Sequence, residues 1–474
     1  MTSFIGFENL DKIDYETIRG EETRCYFCKN LCIRTFIDLK VNGEKKRYII
    51  ATCDKGEVES KEALKELMAN RNKLKEKYPN FVEISNNLLF RSYSPPKVVK
   101  ENKFFDFFRR KKLEALKNTV VGIPRVLNTY SLAPFFRTYF EALGVKKVVF
   151  SDFTSEELYR RGSKRGSIDP CFPSKVAIAH VHNLLFEKEG INLIFFPCVR
   201  TLPGEIYKAE GHWACPTVSA TPEVVKASFT KERDEFKERG VLYLDPVLDF
   251  EDEELLERQL YRVFNPLWGI TREENREAVR LGFEALRKYR ETLQSKAKEV
   301  LQRLEEEGKV GVVLLGRPYH NDPGINHEIL DEINKRGYPV FTIDSLPRDE
   351  ETLYKVFGKD LAQRKIEHPL DIRDVWKKCY SENSSMKVWA AKYTARHPNL
   401  VGIDLSSFRC GHDAPIYSLI EEILEETKTP YFTFHELDEN KPSGSIKIRV
   451  ETIDYFLKRY EEEVLKKKEK EVLV

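Results

Sequence analysis

Residues 120–152 read VVGIPRVLNTYSLAPFFRTYFEALGVKKVVFSD, and residues 312–344 read VVLLGRPYHNDPGINHEILDEINKRGYPVFTID. Each begins as a short β-rich run ending in Gly, with Pro two residues on: Gly122 and Pro124, then Gly316 and Pro318. A polar loop and an amphipathic helical pattern follow. A second Gly, Gly144 or Gly337, then opens another β-rich run. Strand, helix and strand within about 30 residues make one parallel βαβ unit. Its recurrence predicts duplication. The expected fold is α/β, with two Rossmann-like parallel-sheet domains related by duplication, a small N-terminal Cys-rich module and long linker helices. The boundaries read as a module over 1–60, a helical linker over 61–118, a first domain over 119–271, a bridging helix over 272–308 and a second domain over 309–474. Neither half contains G-x-G-x-x-G or a P-loop pattern, so nucleotide binding on this chain is not supported.

Bulk properties narrow the function classes. Charged residues make up 33% of the chain yet the net charge is only +2, so no global field draws nucleic acid. The first residues, MTSFIGFENL, lack a basic stretch followed by an apolar one, and no signal peptide is read. Runs such as INLIFFPCV are too short to span a bilayer. A cytoplasmic protein is expected. Nine cysteines in a reducing compartment point to metal ligation or redox chemistry rather than to disulfides.

The cysteines fall into two groups. Cys25, Cys28, Cys32 and Cys53 form C-x2-C-x3-C-x20-C, with the flanks RYIIATC and GEVES suggesting a hairpin that delivers Cys53. Four thiolates around one centre suit structural Zn or a [4Fe–4S] cluster. The other five follow the repeat. Cys171 precedes a helix in DPCFPSKVAIAHVH, and Cys198 closes the strand INLIFFPC. Cys379 precedes a helix in WKKCYSENSSMKVW, and Cys410 closes the run NLVGIDLSSFRC. Cys215, in ACPTV, has no counterpart in the second half. In open α/β sheets, ligands sit beyond the carboxyl ends of strands and at helix N-termini, so both halves aim cysteines at the same kind of place. Three thiolates on a cubane would leave one iron open to a substrate.

DPCFPSKVAIAHVHNLL, LIFFPC, ACPTV, GRPYHNDPGINHEILDEI, ARHPNLVGIDLSSFRCGHDAP and DENKPSGSIKIRVETIDYFL together resemble the 2-hydroxyacyl-CoA dehydratase and double-cubane cluster protein superfamily. The likeness is nearer to the C-terminal part of long acyl-CoA dehydratase activase-related proteins, and it covers nearly the whole chain. It implies paired Rossmann-like domains around a core iron–sulfur cluster, either [4Fe–4S] or a double-cubane [8Fe–9S]. It also implies a partner, an ATP-hydrolysing activase with its own iron–sulfur cluster that supplies low-potential electrons. By position, Cys171, Cys198, Cys215 and Cys410 are the leading ligand candidates, with Cys379 next. The expected function is an oxygen-sensitive iron–sulfur reductase component acting on a small-molecule substrate. A dehydratase-type subunit and a non-catalytic electron carrier are the alternatives, and a homodimer is left open.

His412, His320 and Tyr319 lie beside the expected strand tips and are candidate proton donors, with loop hydrogen bonding as the plainer role. Arg125 and Arg317 follow the repeated strands and are candidates to hold an anion or to tune a cluster. His180 and His182 read as structural, and Asp413 as a helix cap.

Overall fold

The computed structural model describes residues 13–27, 31–41, 44–51, 54–100, 107–165 and 171–465. The chain divides into two compact units, Met1–Lys77 and Tyr78–Val474.

In the first unit β1 (Ile13–Ile18), β2 (Thr35–Val41) and β3 (Glu44–Ile50) form an antiparallel sheet in that order. Asp38 on β2 is buried, and Arg47 opposite it on β3 donates to both carboxylate oxygens at 2.6 and 2.7 Å. The segment after Cys53 departs from the expected hairpin. β3 already pairs with β2, and Asp54–Glu57 forms a 3₁₀ turn. Helix α1 (Lys61–Lys77) buries no residue, as its dense charge predicts.

The second unit opens with α2 (Phe81–Leu89) and α3 (Phe107–Asn118). Both lie in the stretch read as a linker, yet Phe81, Leu89, Leu113 and Leu116 are core residues. The first lobe then runs β4 (Val120–Ile123), α4 (Thr129–Leu143), β5 (Lys147–Phe150), α5 (Glu156–Gly162), α6 (Phe172–His182), β6 (Leu193–Phe195), β7 (Cys198–Thr201), α7 (Pro216–Thr230), α8 (Glu235–Glu238), β8 (Leu242–Leu244), β9 (Val247–Asp249) and α9 (Glu253–Trp268). Helix α10 (Arg272–Glu307) leads into the second lobe: β10 (Gly311–Leu315), α11 (Ile329–Asn334), β11 (Val340–Thr342), α12 (Glu350–Ala362), α13 (Glu382–Arg396), β12 (Leu400–Ser407), α14 (Tyr417–Glu425), β13 (Tyr431–Leu437) and α15 (Ser443–Tyr460).

The duplication is visible in the sheets. The first lobe is ordered β5-β4-β6-β8 and the second β11-β10-β12-β13, with every pairing parallel. Numbered within each lobe, both read 2-1-3-4. The inner strands β4, β10 and β12 are buried on both faces, which explains their largely apolar runs. Gly144 and Gly337 take equivalent left-handed conformations, with φ of 93° and 95°, where a helix hands over to the next strand. The lobes are not identical. Cys198 does not end the strand before it: β6 stops at Phe195, and Cys198 begins β7, which pairs with β9 in a small separate sheet.

Candidate functional site

The order 2-1-3-4 places a crevice at the carboxyl ends of the first and third strands, where successive connections leave in opposite directions. In the second lobe those strands are β10 and β12. Arg317 leaves the end of β10, and Cys410 lies three residues beyond β12. The first lobe brings two helix starts to the same place. Cys171 is the N-cap residue of α6 and Cys215 that of α7. Pro at the start of each helix fits, because its missing N–H would have had no helical partner.

Cys171 lies within electrostatic reach of both Cys215 and Cys410. Arg317 feels Cys410 and Cys215, and Tyr319 feels Cys171 and Cys410. Burial pushes the Cys171 thiol up to about 12, against opposing hydrogen bonds from Ser174. Burial also raises Cys410, while Arg317 and the backbone N–H groups of His412 and Asp413 favour its thiolate. Cys410 is buried and Cys171 and Cys215 partly so; donors from Ser174 reach Cys171, those of His412 and Asp413 reach Cys410, and Arg317 lies beside Cys410 and Cys215, a setting that stabilises thiolate ligands.

Cys198 and Cys379 are not among the groups that act on Cys171, Arg317 or Tyr319. Cys198 forms part of the wall of a mostly apolar pocket of about 620 Å³, with Trp213, Val247, Tyr380 and His412. Ala214 and Pro216, the neighbours of Cys215, line the same pocket, so it adjoins the three thiols. Burial, reinforced by Glu223 and Asp245, pushes the Cys198 thiol up to about 12. Cys379 is fully buried in the apolar core, and burial raises its thiol. Among the described residues no group of three or more His, Cys, Asp or Glu is close enough to hold a single metal ion.

Arg317 anchors a buried charge cluster that the sequence reading missed. Its Nη2 lies 2.9 Å from Asp413 and donates to Ser384 at 2.9 Å. Lys387 lies 2.5 Å from Asp404 and 3.4 Å from Asp413. All four charged side chains are essentially inaccessible. Asp413 therefore balances buried cations, and its side chain caps no helix. A signal was present: Lys387 interrupts SSMKVWAA, and Asp404 interrupts NLVGIDL.

The proton-donor candidates separate by access. His320 is fully buried, accepts the Arg317 N–H at 2.9 Å through Nδ1, and is held neutral by burial, with its pKa near 3. Tyr319 lies among the thiols, its hydroxyl pushed up by burial. His412 lines the apolar pocket, and burial, followed by Arg317, lowers its pKa. His180 bonds Ser151 and Thr154 at 2.7 and 3.0 Å. Arg125 packs 4.0 Å from both the Phe90 and Phe153 ring centroids, and its Nε donates to the Ser151 carbonyl at 3.0 Å.

In the first unit, Cys25 and Cys32 face each other at the neck of a loop, where the Cys25 N–H donates to the Cys32 carbonyl at 2.8 Å. Buried Arg34 ties that loop to the Gly56 and Val58 carbonyls at 3.1 and 2.7 Å. Cys28 and Cys53 lie outside the described residues.

Residues 120–346 match the family described as "CoA enzyme activase uncharacterised domain (DUF2229)". That span carries Arg125, Cys171, Cys198, Cys215, Arg317, Tyr319 and His320; Cys379, Cys410 and His412 lie beyond it. No curated protein matches the chain. Residues 120–346 thus carry a CoA enzyme activase-related domain. Among the described residues no helix is long and apolar enough to cross a membrane.

Proposed function

We propose that the crevice between the two lobes holds an iron–sulfur cluster on Cys171, Cys215 and Cys410, and that the chain is a reductase component supplied with low-potential electrons by a separate ATP-hydrolysing activase. The convergence of these three thiols on Arg317 and Tyr319 carries the reading. Burial raises the Cys171 and Cys410 thiols, which makes them poor free nucleophiles, and coordination to a cationic centre is what would draw them into the thiolate form. Iron–sulfide clusters are held by such thiolates, and N–H donors to sulfur with a nearby cation raise their potential. When bound, the cluster would store single electrons and pass them to a substrate at an iron lacking a protein thiolate.

The chain's own groups have separate tasks. Arg317 fixes positive charge beside the sulfurs while Asp413 balances it. The open, mostly apolar pocket lined by Trp213, Val247 and Tyr380 would receive a small substrate next to Cys215. His412 and Tyr319 stand where a proton could be given to the reduced substrate. Cys198 contributes to the pocket wall, and Cys379 to the core. The four cysteines Cys25, Cys28, Cys32 and Cys53 would hold a second [4Fe–4S] cluster or zinc.

The match to a CoA enzyme activase-related domain favours, as a second reading, a dehydratase-type subunit acting on a 2-hydroxyacyl-CoA. Metal and sulfide analysis of anaerobically reconstituted protein tests the site. Cys171→Ser, Cys215→Ser and Cys410→Ser should each lose the core iron, while Cys198→Ser and Cys379→Ser keep it. Unchanged iron in Cys171→Ser overturns the proposal. Turnover of a 2-hydroxyacyl-CoA by reconstituted protein with activase and ATP would select the second reading.

A further inference from the structure

A second, smaller cavity lies at the interlobe seam beyond the carboxyl ends of β10 and β11. It measures about 50 Å³, and Arg290, Arg317, Thr342, Asp344, Glu205 and Glu382 supply most of its polar lining. Three of these residues bring hydrogen-bond donors with no acceptor: Arg290 Nε, Arg317 Nη1 and the Thr342 hydroxyl are buried without a partner. Leaving such buried donors unmet is unfavourable, more so where the group is charged. The nearby carboxylates are already engaged. Glu205 pairs with Arg290 at 2.6 Å and also with Arg348, and Glu382 accepts from His212 at 2.5 Å. Arg317 is balanced by Asp413. Arg290 and Arg348 share Glu205, Glu382 also acts on Arg348, and burial disfavours the ionised form of Asp344.

We infer that this cavity binds a small monovalent oxyanion, of the formate, nitrate or bicarbonate class, held by Arg290, Arg317 and the Thr342 hydroxyl. The size follows from the volume: a water-sized occupant needs roughly 10–15 Å³ on this scale, so about three to four heavy atoms fit. The charge follows from the unmet donors, two of which belong to guanidinium groups, Arg290 and Arg317. The first turn of the 15-residue helix α13 also lines the cavity through Glu382 and Asn383, adding the positive end of its dipole. Arg317 borders both this cavity and the thiols, so a bound anion would sit next to the electrostatic environment of Cys410 and Cys215 without touching a substrate.

Iron-free full-length protein suffices for the test, which makes it independent of the cluster. The thermal midpoint is titrated with sodium formate and sodium nitrate against chloride and sulfate at constant ionic strength. Formate and nitrate should give a saturable rise, and sulfate, with five heavy atoms and two charges, none. Thr342→Val keeps the shape and removes one donor, so its apparent formate affinity should fall about tenfold. Asp344→Asn removes the competing carboxylate and should tighten formate. Cys171→Ser should respond like wild type whether or not it retains iron. Equal effects of all four salts, no effect of any, or unchanged formate affinity in both cavity variants would mean a cavity filled by water alone and overturn the inference.

Discussion

The two lobes share a sheet order and differ in what they place beyond it. At the end of the first strand of each stands an arginine. Arg125, in the first lobe, lies between two phenylalanine rings and bonds to backbone. Arg317, in the second, is part of a balanced set of four buried charges beside two thiols. The cysteines are equally uneven. The first lobe offers Cys171 and Cys215 from helix starts, and the second offers Cys410 from a strand end. Duplication thus supplied a frame with two equivalent crevices, and the chemistry collected where the copies had diverged.

That contrast has energetic consequences, and the largest concerns the arginines. Arg317→Met would leave Asp413 and Asp404 facing Lys387 alone, with one uncompensated negative charge inside the protein. A loss of about 3–5 kcal/mol is expected from the urea midpoint. Arg125→Met removes two ring contacts and one hydrogen bond at a partly exposed site, for a loss of about 1 kcal/mol. Equal losses would mean that the charge cluster is not specific to the second lobe. A smaller effect sharpens the common frame. Gly144→Ala and Gly337→Ala each force an L residue into the left-handed region and should cost about 1–2 kcal/mol apiece, in matching amounts. A large inequality between them would show that the two helix-to-strand turns are not structurally equivalent.

The frame was legible because it rests on local rules. Pro and Gly punctuate strand tips, and Gly144 and Gly337 sit where backbone geometry demands them. The helix start at Cys171 was equally plain, since Pro follows it closely; the one at Cys215, with Pro directly after it, was not read. What escaped was set by tertiary contact. Periodicity could not show that α2 and α3 enter the core, because their charged neighbours dominate the pattern. Nor could it show that INLIFFPC breaks at Phe195, since β7 exists only by pairing with β9. Cys379 had the sequence context of a ligand, yet packing takes it into the apolar interior. The charge cluster left a trace as ions inside apolar runs, but partner choice across 96 residues, from Arg317 to Asp413, is not written in either run.

The smallest effect separates the two grips of α10. Toward the first lobe this helix packs against α4, largely through apolar side chains and a neutral bond from the Tyr139 hydroxyl to Asn275 at 2.8 Å. Toward the second lobe Glu305 accepts from His397 at 2.8 Å and from Lys355 at 2.6 Å. The His397 bond first, then Lys355, holds its carboxyl down to about 2 against burial, from an ordinary 4.5. A depressed pKa in the folded state contributes stability above the ordinary value, and that contribution fades as pH falls from about 4.5 toward about 2. Glu305→Gln should therefore cost about 1 kcal/mol at pH 7, after allowance for solvent screening, and progressively less as acid is added. Urea midpoints of the two proteins should converge between pH 4.5 and 2, while a Tyr139→Phe protein stays offset from wild type by a constant amount. Parallel acid curves for wild type and Glu305→Gln would show that the second-lobe grip of α10 is as insensitive to charge as the first.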